Sequence, residues 1–115
     1  MRSGPEANLQ KQILELAAYY NWAWYHPPDN RPIRAHDGKV RFQTVVAGWP
    51  DLILCRPPEL IAVEVKSQTG RVSSEQSEWL RRLTVCGVET AVWRPSDWDR
   101  VRERLSRPLD QRKAA

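Results

Sequence analysis

Apolar residues recur at helical spacing near the start of the chain, over residues 5–20. One face of this segment carries Leu9, Ile13, Leu16, Ala17 and Tyr20. That spacing predicts an amphipathic helix, because residues three or four positions apart share a helix face. Pro5 suits the first helical position, and Asn21 is a residue type that ends helices. Residues 22–25 then predict a short strand, which ends at the prolines after His26.

Two continuous apolar runs occupy the middle of the chain. Residues 50–56 and 60–66 are short and are separated by a pair of prolines, which predicts two strands joined by a tight turn. A helical pattern over residues 73–86 comes next, and residues 88–93 predict another strand. The step from 60–66 through this helix to 88–93 should be a right-handed crossover between parallel strands.

The C-terminal part of the chain predicts a third helix, which begins near Pro95 and has Trp98, Val101 and Leu105 as its apolar stripe. The order α-β-β-β-α-β-α predicts an α/β fold, with one mixed sheet flanked by helices. Residues 27–47 are the least regular stretch, where a strand over 42–46 is the one predicted element. The length of 115 residues predicts a single domain over 1–106, followed by a basic flexible tail at 107–115.

The chain is mildly basic, with 18 Lys and Arg against 14 Asp and Glu. A basic surface favours a polyanionic partner, although many soluble domains share this balance. The two cysteines, Cys55 and Cys86, lie far in sequence from His26 and His36, which disfavours a structural zinc site. Both cysteines have apolar neighbours and are predicted to be small core residues.

Targeting and membrane patterns do not occur in the sequence. No signal peptide and no transmembrane run is present, which predicts a cytoplasmic protein that does not enter membranes. In a bacterium or a phage-infected host cell, that compartment also contains the DNA.

Three charged residues stand at the edges of the two central apolar runs: Asp51, Glu64 and Lys66. If the strands pair about the junction of Pro57 and Pro58, Asp51 faces Glu64 across the ladder. Two like charges at that range repel, and a divalent cation between them removes the repulsion. A slip of one residue would put the two acids on opposite faces, so the prediction depends on the register.

Lys66 lies two residues after Glu64 and therefore projects from the same face of its strand. There it can hold the attacking water or a phosphate oxygen. The alternative is that all three charges are ordinary solvated residues at a sheet end, paired as a surface salt bridge. The Gly-x-Pro-Asp sequence that leads into an unbroken apolar strand favours a site.

Glu6 and Gln76 are further candidates, each with two interpretations. Glu6 lies on the apolar side of the first helix and could reach a metal, but it could also close a capping box with Ser3. Gln76 lies on the apolar face of the second helix and could meet a phosphate or a metal-bound water. It could equally close a capping box with Ser73. The residues alone leave both pairs of alternatives open.

These residues form a combined pattern that is more specific than any of its parts. It comprises Glu6 in the first helix, the strand at 22–25 with His26 after it, Gly48-x-Pro50-Asp51-Leu52, Glu64-Val65-Lys66, Gly70-Arg71, Gln76-x-x-Trp79 and Gly87. The chain thereby resembles the virus-type replication-repair nucleases, the VRR-NUC family of the PD-(D/E)xK superfamily. The resemblance implies a restriction-endonuclease-like fold and a deoxyribonuclease that needs Mg²⁺ or Mn²⁺. Residues 29–47 depart from the family pattern, so the resemblance is weakest for substrate choice.

The resemblance also implies roles for single residues. The implied metal ligands are Asp51, Glu64, the carbonyl of Val65 and, directly or through water, Glu6; Lys66 is the implied catalytic lysine and Gln76 a supporting residue of the catalytic site. Independently of the resemblance, position after a strand and positive charge suggest candidate DNA contacts: His26, Arg31, Arg34, Lys39, Arg41 and Arg71, with Arg81 and Arg82 as further possibilities.

The chain is similar in length to short stand-alone members of the family. This similarity implies a homodimer that cuts branched DNA, such as the four-way (Holliday) junctions of DNA repair. The chain is therefore expected to be a homodimeric endonuclease of bacterial or phage origin. Two alternatives stay open. One is a nuclease acting on flaps or linear ends, and the other is a non-catalytic DNA-binding subunit that keeps a relict site.

Overall fold

The structure is a computed structural model that describes residues 4–27, 32–34, 36–42 and 46–109. Its elements, in chain order, are α1 (Pro5–Tyr19), β1 (Ala23–Tyr25), β2 (Pro32–Arg34), β3 (Val40–Phe42), β4 (Leu52–Arg56), β5 (Glu59–Val65), α2 (Ser74–Val85), β6 (Glu89–Trp93) and α3 (Trp98–Ser106). A short 3₁₀ turn, Pro95–Asp97, leads into α3.

The centre of the fold is a mixed four-stranded sheet in the order β1-β4-β5-β6. β4 is antiparallel to both β1 and β5, whereas β5 and β6 are parallel, as predicted. Leu52 pairs with Val63, and the ladder continues to Arg56 opposite Glu59. This is the predicted register about the proline pair, so the hairpin and the α/β sheet flanked by helices are confirmed.

One face of the sheet packs against α1 and α3 and forms the dry core. The fully buried side chains there are Ile13, Ala17, Leu52, Leu54, Ile61, Val63, Val65, Val101 and Leu105. The apolar stripes predicted for the first and third helices are the ones that the core uses. α1 ends as expected, because Asn21 takes a left-handed backbone conformation with φ of 67°, which asparagine tolerates better than most residues.

α2 lies on the other face of the sheet and is covered far less. Within this helix, which the structure describes throughout, no side chain is fully buried. Cys86, just after it, is exposed, and Cys55 is only half-buried. The prediction that both cysteines are core residues is therefore wrong, because apolar neighbours in sequence did not guarantee a covering element.

The stretch between β1 and β4 contains a hairpin that the sequence analysis did not predict. β2 and β3 pair with each other, outside the four-stranded sheet. Gly38 has φ of 81°, and the Asp37 carboxylate accepts a hydrogen bond from the backbone N–H of Lys39 at 2.9 Å. Asp-Gly is a known hairpin signal. Of the strand predicted at 42–46, Phe42 is the last residue of β3 and Val46 is in no strand, whereas residues 43–45 lie outside the described residues.

The end of the domain stays a prediction. α3 ends at Ser106, and the carbonyl of Arg107 accepts a hydrogen bond from Arg56 at 2.8 Å. Residues 110–115 of the predicted tail lie outside the described part. Among the helices of the described residues, none has the length and apolar character needed to cross a membrane.

Candidate active site

Asp51 stands immediately before β4, at one end of the sheet. Continuing the β4–β5 register by one pair sets it opposite Glu64, so both side chains belong to the face that α2 covers. Its Oδ2 accepts a hydrogen bond of 2.8 Å from the backbone N–H of Val65, and the residue is only 9% exposed. The two acids therefore converge as the sequence predicted.

Glu64 is completely buried, in a strand that has β4 on one side and β6 on the other. Its Oε1 accepts a hydrogen bond of 3.2 Å from the side-chain amide of Gln76 on α2. Burying a carboxylate costs several kcal/mol unless hydrogen bonds or cations compensate. An apolar residue would pack at this position at less cost, so the acid requires an explanation beyond folding.

Gln76 closes the capping box with Ser73 and also contacts Glu64, whereas its predicted contact with a phosphate or a metal-bound water stays a prediction. Its Oε1 accepts from the backbone N–H of Ser73 at 2.8 Å, and Ser73 Oγ accepts from the backbone N–H of Gln76 at 3.1 Å. This capping box fixes the start of α2. Because the box uses only the oxygen of the side-chain amide, the nitrogen remains directed at Glu64.

Lys66 follows β5 directly. Its backbone N–H donates to the carbonyl of Trp93 at 3.0 Å, which extends the parallel pairing of β5 and β6 by one residue. The alternation of side chains along β5 therefore continues to Lys66 and places it on the same face as Glu64. The structure thus brings the predicted trio to one end of one face.

Glu6 lies in the first turn of α1, and in the described residues the N-cap of this helix is Gly4, without a side-chain capping bond. The capping-box alternative for Glu6 involves Ser3, which lies outside the described residues. Glu6 Oε1 accepts a hydrogen bond of 3.2 Å from the backbone N–H of Ser67, the residue after Lys66. The described residues contain no group of three or more His, Cys, Asp or Glu side chains placed to hold a metal, so Glu6 is not part of one close cluster with the other two acids.

His26 supports the site from β1. Its Nδ1 lies 3.0 Å from the backbone carbonyl oxygen of Asp51. A carbonyl oxygen can only accept, so this bond requires the proton on Nδ1. His26 therefore anchors the backbone of the first acid, a role that the sequence did not indicate. Its predicted contact with DNA stays a prediction.

The loop before Asp51 begins with Gly48, at a position where the backbone conformation and the nearby helix both require glycine. The φ of Gly48 is 82°, and a Cβ there would lie 2.5 Å from the carbonyl carbon of Glu75 in α2. Any other residue would force the loop and the helix apart. Next to it, the rings of Trp49 and Trp79 meet edge to face, with centroids 5.1 Å apart. The Gly-Trp-Pro-Asp segment therefore packs closely against α2 and forms the loop that carries Asp51.

The predicted DNA-contacting cations are described only in part. Lys39 lies in the β2–β3 turn, and Arg71 is exposed in the loop between β5 and α2. The side chains of Arg31, Arg34 and Arg41 lie outside the description. Arg81 and Arg82 both pair with Glu78, at 2.7 and 3.2 Å. The pKa of Glu78 is lower than its ordinary value, mainly because Arg81 donates a hydrogen bond to its carboxylate.

The donor set suits a small hard cation. Mg²⁺ typically binds through one or two carboxylates, with the remaining positions taken by waters and substrate phosphates. Asp51 and Glu64 supply two carboxylates on one face, and the carbonyl of Val65 lies between Glu64 and Lys66 in sequence. This chemistry fits Mg²⁺ or Mn²⁺, and it does not fit the nitrogen and sulfur sites typical of structural zinc.

A family model for the VRR-NUC domain matches residues 30–97, which is more than half of the chain. The chain belongs to the VRR-NUC family. A solved structure named VRR_NUC domain protein is similar, with a TM-score of 0.55 and 20% identity over 84% of this chain and 83% of that one. At this identity the likeness supports the fold alone. No curated protein matches the chain.

VRR-NUC is a nuclease family. Its enzymes generally depend on divalent metal ions and act on DNA. The matched region includes Asp51, Glu64, Lys66 and Gln76, but it leaves out Glu6 and the strand that leads to His26. The resemblance seen in the sequence is thereby confirmed. The roles of the individual residues stay predictions that their geometry supports.

Proposed function

We propose that this protein is a metal-dependent endonuclease that hydrolyses phosphodiester bonds in DNA. The observation that carries the proposal is the convergence of Asp51, Glu64 and Lys66 on one face of the sheet, with Glu64 fully buried and held by Gln76. A purely structural cluster would pair opposite charges at the surface. Two acids and a lysine around one position instead match the needs of phosphoryl transfer.

Asp51, Glu64 and the carbonyl of Val65 would hold Mg²⁺ or Mn²⁺, with Glu6, which lies outside their close cluster, contributing through water. A bound ion of this kind supplies Lewis acidity toward a phosphoryl oxygen and makes a water molecule more acidic. The protein prepares this position in advance. The Val65 N–H fixes one oxygen of Asp51, and the Gln76 amide fixes one oxygen of Glu64, which is how supporting residues tune ligands.

Lys66 acts on the reacting groups themselves. Its ammonium donates hydrogen bonds to the attacking water and orients it toward phosphorus. The same positive charge offsets the negative charge that grows on the phosphoryl oxygens. The backbone bond from Lys66 to Trp93 keeps the root of this side chain at the end of the sheet, beside the two acids.

The proposed substrate is branched DNA, such as a four-way junction, cut by a homodimer in the cytoplasm of a bacterial or phage-infected cell. The net charge of +4 supports a polyanionic substrate. A dimer would carry two active sites, which would allow symmetric nicks in two strands. The resemblance to short stand-alone members of the family supports this choice.

The test is a cleavage assay on matched junction, flap and linear DNA with Mg²⁺, Mn²⁺ or a chelator. The wild type should cut only with metal, and Asp51→Ala and Lys66→Ala should each abolish cutting. Asp99→Ala and Lys11→Ala, which change exposed residues on α3 and α1, serve as controls. Cutting that survives in both site variants would contradict the proposed site. DNA binding without cutting in either metal would instead indicate a non-catalytic subunit.

A further inference from the structure

Arg94 follows β6 directly, at the end of the sheet where the candidate site lies. Its Nη1 lies 2.7 Å from the carbonyl oxygens of both Ser67 and Gly70, and 3.4 Å from that of Gln68. A guanidinium nitrogen of this kind has two hydrogens, so the two short contacts account for both. The arginine therefore holds the loop 67–70, which begins one residue after Lys66.

The same loop is held from the opposite side by Glu6, whose carboxylate accepts from the backbone N–H of Ser67. Ser67 is thus fixed at its N–H by an acid and at its carbonyl by an arginine. The loop is also tightly packed, because a Cβ at Gly70 would lie 2.9 Å from Ser67 Oγ and 3.5 Å from the Glu6 carboxylate. A displacement of Ser67 would therefore be felt by both Lys66 and Glu6.

Arg94 is itself fixed to the turn before α3. Its backbone N–H donates to the Asp97 carboxylate at 2.9 Å. Gln68 adds a second link, because its side-chain amide donates to Ser96 Oγ and accepts from the Ser96 backbone N–H, each at 3.0 Å. The loop after Lys66 is thereby tied to the 3₁₀ turn that leads into α3.

We propose that Arg94 is a positioning residue, which sets the placement of Lys66 and Glu6 through the loop 67–70. This inference rests on the proposed nuclease function of the site. An arginine beside a nuclease site would ordinarily be assigned to a DNA phosphate, but here Nη1 donates to protein carbonyls. A displacement of about 1 Å in a catalytic group can lower a rate about 100-fold, so a residue that touches no substrate can still control the rate.

The first experiment measures steady-state cleavage, which gives kcat and KM, together with DNA affinity, for wild type, Arg94→Gln and Arg94→Lys. Arg102→Gln is the matched control, because Arg102 is an exposed arginine on α3 that pairs with Asp99. Arg94→Gln should lower kcat about 10- to 100-fold with little change in KM or in the salt dependence of binding. Arg94→Lys should restore part of kcat, since an ammonium can hold some of the same carbonyls, and the control should behave as wild type.

The second measurement is amide hydrogen exchange, which separates local loosening from unfolding. The N–H groups of Ser67 and Gly70 should exchange faster in Arg94→Gln, whereas that of Val65, bonded to Asp51, should keep its protection. A loss of affinity with a salt slope reduced by about 1 and kcat unchanged would make Arg94 a phosphate contact and overturn the proposal.

Three other outcomes are also decisive. Unchanged kcat in Arg94→Gln would overturn the positioning role while leaving the nuclease function intact. A loss of activity that only follows the unfolded fraction, with equal loss of protection at Val65, would reduce Arg94 to a structural residue. A wild type that cuts no DNA would refute the proposed function itself, whatever the variants do.

Discussion

The two ends of the β4–β5 hairpin both carry charged side chains, and they organise them in opposite ways. At the turn end, Arg56 pairs with Glu59 at 2.7 Å, and Arg104 of α3 bridges Glu59 and Glu89 at 2.8 and 2.7 Å. Both guanidinium groups lie over the ring of Trp22, with their carbons 4.5 and 5.4 Å from its centroid. Every acid at this end faces an arginine.

At the open end, the two acids face each other instead. Asp51 and Glu64 belong to one face, and a backbone N–H and a neutral amide are among the groups that contact them. The turn end alternates acids and arginines, whereas the open end sets two acids opposite each other, one of them fully buried, with Lys66 on the same face. A cluster that serves stability and a cluster that serves chemistry can thus be told apart within a single hairpin.

Glu64→Gln should have the largest effect, because it removes the buried charge that distinguishes the open end from the turn end. The substitution keeps the size of the side chain and an oxygen that can accept from Gln76, but it removes the buried charge. Cleavage should fall by more than the roughly 10- to 100-fold typical of residues that only support a ligand, and Mn²⁺ binding should weaken in parallel. Stability in urea should be unchanged or higher, because the desolvation cost of the charge is gone.

The control for this variant is Glu15→Gln, which removes an exposed acid from α1. It should leave cleavage, Mn²⁺ binding and stability as in the wild type. If Glu64→Gln unfolds the protein while its remaining folded fraction still cuts DNA, Glu64 belongs to the structural class and the contrast between the two ends disappears.

Arg104→Met should have the opposite effect at the turn end. The side chain of Arg104 is only 11% exposed, and its removal leaves Glu59 and Glu89 without their shared cation. Stability in urea should fall by about 1.5–3 kcal/mol, the range for hydrogen bonds to charged groups. Cleavage per folded molecule should stay within about twofold of wild type. Arg102→Met, which breaks an exposed pair, should cost less than about 1 kcal/mol.

The parts of the fold that were predictable are those with a local signal. The stripes of α1 and α3 follow from helical spacing, and the register of the hairpin follows from a proline pair centred between two apolar runs. Once the register was set, the convergence of Asp51 and Glu64 followed, because pairing in a sheet is a matter of counting. Lys66 came with them through simple alternation.

The parts that were missed depend on contacts between distant positions. Nothing near Arg94 or Arg104 in the sequence indicates which carbonyls or acids they meet, because these partners come from other elements. His26 was singled out, but its bond to the backbone of Asp51 is invisible without the sheet. The β2–β3 hairpin is different, since Asp37 and Gly38 form a turn signal that could have been read. Here the error was in reading the sequence and not in the information it holds.

The smallest expected effect is on stability at acidic pH. It tests whether ion pairs hold the turn end together. Partial burial by itself would raise the pKa of Glu59, but the hydrogen bonds and charges of Arg56 and Arg104 outweigh it and hold this pKa below the usual 4.5. A carboxyl whose pKa is lowered on folding adds stability above its unfolded pKa and loses that contribution as the pH falls through the folded value. The stability difference between wild type and Glu59→Gln should therefore be constant near neutral pH and shrink as the pH drops below about 4.5, in urea titrations at fixed ionic strength.

Glu103→Gln, at an exposed pair with Arg107, should show a smaller difference throughout, because solvent screens such pairs. A Glu59→Gln difference that stays constant down to about pH 2 would mean that packing around Trp22, and not the ion pairs, holds this end of the hairpin together.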